Sequence, residues 1–117
     1  MAKKKPEQIV KDSICEYLEL KGIFFWTNHS MGTYDKKKGT WRMRRGRFNL
    51  NGTSDILGVL PGGRLLAIEC KAKGLKRNVS EDQQYFLDRV SCIGGVAILA
   101  DSVQDVIDGL TGQIRHF

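Results

Sequence analysis

Apolar residues recur at helical spacing between Pro6 and Lys21, where Val10, Ile14 and Leu18 form a stripe with Tyr17 on its flank. Pro6 suits the first turn of that helix and Gly22 its end. Ile23 to Thr27 (IFFWT) is rich in β-formers and reads as the first strand. Two further runs, Thr53 to Leu60 and Arg64 to Ala72, flank Pro61-Gly62-Gly63 and read as a hairpin. On its second strand Leu66, Ile68, Cys70 and Ala72 share one face, and Glu69 and Lys71 share the other. Ser80-Glu81-Asp82-Gln83 fits a capping box, and Gln83, Phe86, Leu87 and Val90 give the helix behind it one face. After Gly94-Gly95, Val96 to Ala100 (VAILA) is apolar throughout and predicts a buried strand. Ser102 caps a last helix on Val103, Val106, Ile107 and Leu110, and Gln113 to Phe117 is unassigned. The predicted order is α, β, β, β, α, β, α: an α/β fold with helices packed on a mixed sheet.

Bulk properties narrow the class. A chain of 117 residues makes one domain, 1–117, with room for a core and little for a second unit. With 41% apolar and 27% charged residues it is not disordered as a whole. No apolar run reaches the length of a membrane span, and MAKKKPEQ has no apolar segment behind its bases, so no secretory signal is expected. Cys15, Cys70 and Cys92 are odd in number and lack metal-site spacing, which favours reduced thiols in a cytoplasmic compartment. His29 and His116 have no ligand-spaced partners and read as surface or hydrogen-bonding histidines. GxxxxGK[ST], GxGxxG at a strand-to-helix turn and HExxH are all absent, so a nucleotide cofactor is not expected.

Charge is unevenly placed. Of 19 bases and 13 acids, seven bases and one acid (Lys36, Lys37, Lys38, Arg42, Arg44, Arg45 and Arg47 against Asp35) lie between Thr33 and Phe48, leaving twelve of each elsewhere. A localised excess points to a polyanionic partner, although a solvated loop that aids solubility has the same composition. Tyr34, Trp41 and Phe48 interleave with the bases and tilt the reading towards nucleic acid, because rings stack on bases. The segment is expected as a loop or ribbon centred on Lys38-Gly39, inserted at 33–48. Lys73, Lys76 and Arg77 form a second, smaller basic loop with Gly74.

Candidate chemistry lies in Gly52 to Ala72, GTSDILGVLPGGRLLAIECKA. Folding the hairpin brings Asp55 back towards Glu69, so two carboxylates and Lys71 converge in a plausible divalent-cation site. Glu7 lies three residues before Val10 and so shares the inward stripe of the first helix, while Glu16 is on the opposite face. An acid in a first turn is also explained by the helix dipole alone.

Asp55, followed on the next strand by Glu69-Cys70-Lys71, resembles the PD-(D/E)XK nuclease motif. The wider context, from about Pro6 to Leu110, resembles the VRR-NUC family of virus-type replication-repair nucleases. The likeness includes Glu7, WTNHSMG, the Gly52–Ala72 stretch, Gln83 on the capped helix, and VAILADSVQDV. Cys70 fills the variable middle position, where its carbonyl is what counts.

The resemblance implies a restriction-endonuclease-like fold and a Mg²⁺- or Mn²⁺-dependent deoxyribonuclease that hydrolyses phosphodiester bonds in replication, recombination or repair. It implies Asp55, Glu69 and the Cys70 carbonyl as metal ligands, with Glu7 acting through a water. Lys71 would orient or help deprotonate the attacking water, and Gln83 would touch Lys71 or the water, although its capping role accounts for it equally. DNA would be held by Lys36, Lys37, Lys38, Trp41, Arg42, Arg44, Arg45 and Arg47, with Lys73, Lys76 and Arg77. Stand-alone members of the family imply a homodimer acting on branched DNA or four-way junctions in the cytoplasm of a bacterial or phage-infected cell. Two other classes remain open: a nuclease-like module that grips nucleic acid without cutting it, and an interaction subunit of a repair complex.

Overall fold

The chain begins with helix α1 (Pro6–Leu20) and runs through β1 (Phe24–Thr27), β2 (Thr33–Asp35), β3 (Thr40–Arg42), β4 (Ile56–Val59) and β5 (Leu65–Cys70). Helix α2 (Glu81–Cys92), strand β6 (Val96–Ala100) and helix α3 (Val103–Leu110) complete it. These elements are those of a computed structural model, which describes residues 3–28, 33–35, 40–42, 48 and 50–113. Four strands form one mixed sheet in the order β1-β4-β5-β6, and β2 and β3 pair as a separate ribbon. β1 runs antiparallel to β4 and β4 to β5, whereas β6 is parallel to β5 and is reached through α2. The described residues thus make a mixed α/β fold with a four-stranded mixed sheet and three α-helices.

Alternation along the strands sorts side chains into two layers. Ile56, Leu66, Ile68, Cys70, Val96, Ile98 and Ala100 face Ile14 and Leu18 of α1 and Val106 and Leu110 of α3. On the other face Ala67, with Leu57, Leu65, Ala97 and Leu99 around it, packs against Phe86, Leu87 and Val90 of α2. No helix among the described residues is long and apolar enough to cross a membrane.

Three expectations need correction. First, the buried positions of α1 are Lys11, Ile14 and Leu18, with Val10 and Tyr17 only half-buried, and Glu7 is exposed. The stripe is therefore rotated towards position 11, because the helix lies under the β5 end that carries Cys70. Second, the hairpin strands are shorter than their apolar runs, so Asp55 precedes β4 and Lys71 follows β5. The reason is local: the Asp55 carboxylate, not a main-chain carbonyl, accepts the Cys70 N–H. Third, Tyr34 pairs with Trp41 and Thr33 with Arg42, which centres the ribbon between positions 37 and 38, one residue before Lys38-Gly39.

Candidate active site

Asp55 is held in place from both sides. Its main-chain carbonyl accepts the Asn28 N–H at 2.7 Å, and its Oδ2 accepts the Cys70 N–H at 2.9 Å. The loop before it turns at Gly52 (φ +80°), where a Cβ would overlap the Asp82–Gln83 peptide. Only glycine combines that left-handed backbone with so close an approach to the first turn of α2. The residue thus sets the distance between Asp55 and the helix that carries Gln83.

Glu69 faces α2 and is 2% exposed. Its Oε1 lies 3.8 Å from Lys71 Nζ, and its Oε2 has no hydrogen-bond partner. Burial, and then the neighbouring Asp55 charge, push its carboxyl up to about 8; Glu7 adds to the rise, and Lys71 and a hydrogen bond from the Asp55 main chain oppose it. A buried carboxyl in that condition is either protonated or waiting for positive charge.

Lys71 is 9% exposed and keeps in line with β6 through its N–H to the Ala100 carbonyl at 2.8 Å. Its Nζ donates to Gln83 Oε1 at 2.9 Å. That same oxygen accepts the Ser80 N–H at 2.9 Å, while Ser80 Oγ accepts the Gln83 N–H at 3.1 Å. The capping role and the lysine-holding role of Gln83, open alternatives in the sequence, are both carried by one atom.

Glu7 opens onto the site from the first turn of α1. With Lys5, Pro6, Lys71, Ala72, Leu75 and Asn78 it lines a cleft of about 420 Å³. Glu16 lies away from it, beside Glu19 and Leu20 at another hollow. Lys5 and Asn78 on the cleft wall were not singled out from sequence, and nothing in the sequence marks them. Lys11, 8% exposed beneath Cys70, was also missed. Its position one helical turn after Glu7 was the available signal.

The basic candidates divide. Lys76 Nζ lies 2.8 Å from Asp105 and 3.9 Å from Asp101, which neutralises it and ties its loop to α3. Arg77 donates to the Gly74 carbonyl, and Lys73 is exposed. Lys36, Lys37, Lys38, Arg44, Arg45 and Arg47 lie outside the described residues, as do His29 and His116. Of Trp41 and Arg42 only the strand positions are described.

Among the described residues no three His, Cys, Asp or Glu side chains gather as a metal-binding group. The set at hand is two carboxylates and a strand carbonyl. All three are hard oxygen donors, and magnesium is commonly held by one or two carboxylates completed by water and substrate phosphate. The unpartnered Glu69 oxygen and the raised Glu69 carboxyl beside Asp55 fit a divalent cation, which would relieve both. No protein-family model matches the chain, and neither a curated protein sequence nor a solved structure is significantly similar to it.

Proposed function

We propose that this chain is a Mg²⁺- or Mn²⁺-dependent nuclease that hydrolyses phosphodiester bonds in DNA. The observation that carries the proposal is the convergence of Asp55, Glu69, Lys71 and Gln83 where β4 begins and β5 ends, with one buried carboxylate oxygen unpartnered. The α-β-β-β-α-β-α order around the mixed sheet, once the ribbon is set aside, supports a restriction-endonuclease-like reading of the PD-(D/E)XK kind.

Asp55, Glu69 and the Cys70 carbonyl would hold the cation, which supplies positive charge against the negative charge that develops on phosphate oxygens. The remaining work belongs to the protein. Lys71, fixed by Gln83 and Glu69, donates a hydrogen bond that orients the attacking water. Glu7 lines the same cleft as Lys71 and would polarise water there. The basic stretch 33–48 supplies charge to hold the polyanion. A C2 dimer with paired sites would suit symmetric cleavage of a four-way junction.

The test is cleavage of duplex, single-stranded, flap and junction DNA by the purified chain in Mg²⁺ or Mn²⁺. Asp55→Asn and Glu69→Gln are expected to lose at least about 100-fold in rate while keeping or improving DNA binding, since Asp55→Asn removes a charge that repels phosphate and Glu69→Gln replaces a carboxyl that holds its proton up to about 8. Lys71→Ala should be equally inactive with less effect on metal affinity. Undiminished cleavage by Asp55→Asn would refute the site. Binding without cleavage by the unaltered chain would make it a gripping module.

A further inference from the structure

Helix α2 covers only half of its face of the sheet. It packs over β5 and β6, while Phe24 and Trp26 on the outer strand β1 stay 68% and 42% exposed. Their neighbour Phe25 turns to the other face and packs into the core with α1 and α3. The two exposed rings stand side by side, with centroids 5.7 Å apart and planes inclined at 52°.

Strand register ties this pair to the candidate active site. Trp26 pairs with Leu57, which pairs with Ala67 of the α2-facing layer, so Phe24 and Trp26 lie on the face that carries Glu69. Asn28, whose N–H bonds the Asp55 carbonyl, and Glu69, two residues beyond Ala67, define the next row. One pleat, about 7 Å along the strand, therefore separates the Trp26 row from the row of the two carboxylates.

We infer that Phe24 and Trp26 form a stacking platform for unpaired nucleobases, so that the substrate is a strand left single or locally unpaired beside the scissile phosphate. The inference rests on the nuclease reading for placing that phosphate at Asp55 and Glu69. Two observations select nucleic acid as the occupant. Aromatic rings offer a π-face to any base, which scattered exposed aliphatics do not. In the chain, β1 also runs within a few residues into the 33–48 stretch, with seven bases against one acid. A second copy of a chain with a net charge of +6 would bring like charge, whereas a nucleic acid strand brings the opposite charge.

The test uses the full chain with Trp41→Phe, which leaves Trp26 as the sole tryptophan. In EDTA, so that binding is read without cleavage, single-stranded oligonucleotides should quench Trp26 emission saturably. Phe24→Ser and Trp26→Leu should each weaken single-strand binding roughly fivefold or more, the scale of losing one base–ring stack. Both should leave the salt slope of binding unchanged, because neither ring carries a charge that neutralises a phosphate. Trp26→Leu keeps apolar bulk on the strand, and circular dichroism confirms that each variant is folded. Single-strand affinity equal to the parent's in both variants overturns the platform. So does sedimentation showing that the parent is a dimer and that binding is lost only as the variants become monomers. Failure of the nuclease reading is read separately: quenching by a chain that cuts no substrate keeps the platform and removes the catalysis, and cleavage with undiminished variant binding does the reverse.

Discussion

At the residue scale, Gln83 Oε1 accepts from both the Ser80 N–H and Lys71 Nζ, so one oxygen ties the lysine to the main chain at the start of α2. Ser80→Ala removes the hydroxyl that caps the helix and should cost about 1 kcal/mol of stability, with little change in rate because the Gln83–Lys71 bond survives. Gln83→Ala should also lower kcat by about 10- to 100-fold with KM nearly unchanged. Melting curves and steady-state kinetics on the two variants separate the roles. Glu69 predicts a pH effect. Its carboxyl is raised to about 8 from 4.5 by burial and by Asp55, so between those values the folded chain holds a proton that the unfolded chain has released. Stability of the metal-free protein should therefore fall as pH rises from about 4.5 to about 8 and level off above. Glu69→Gln should flatten that slope, and Mn²⁺ should restore stability most at the high-pH end. Melting temperatures across the range, with and without Mn²⁺, check both statements.

Among the elements, α1 decides which of its acids meets the cleft beside Lys71. Pro6 and Glu7 open the helix at the cleft, and Glu16, more than two turns on, lies at a separate hollow. Glu7→Ala should reduce the rate or raise the Mn²⁺ requirement by about tenfold, whereas Glu16→Ala should leave both within about twofold of the parent. A Mn²⁺ titration of cleavage by each variant is the measurement, and equal effects would mean that the cleft wall does not take part. Spacing to Val10, Ile14 and Leu18 put Glu7 on the inward stripe, and the structure leaves it exposed. That exposure was not legible in the sequence, because a helical period gives direction and not depth.

Taken as a whole, the molecule separates its chemistry from its charge. Glu69 lies within β5 with Asp55 just before β4 and Lys71 just after β5, while the net excess of bases falls in 33–48. Replacing Arg42, Arg44, Arg45 and Arg47 with Ser should weaken DNA binding and reduce the salt slope by up to about 0.9 for each phosphate no longer neutralised. Circular dichroism and melting should hardly change, and cation binding at Asp55 and Glu69 should persist. A wild-type salt slope in the quadruple variant would shift the role to the second loop. There Lys73 and Arg77 are the residues to change first, since Lys76 is already paired with Asp105.

By itself the sequence determined the elements whose signals are local. Ser80 to Gln83 capped α2, VAILA became β6, and Asp55, Glu69 and Lys71 met because a Pro-Gly-Gly turn folds two alternating runs together. Such features depend on residues close in the chain, and local sequence order encodes them directly. Tertiary structure decided the rest. Burial of Glu69, its unpartnered oxygen, the rotation of α1 towards Lys11 and the half-covered face that leaves Phe24 and Trp26 open all arise from elements far apart in the chain. Strand alternation states that two residues share a face, but only the packing of α2 settles which part of that face is dry and which stays exposed.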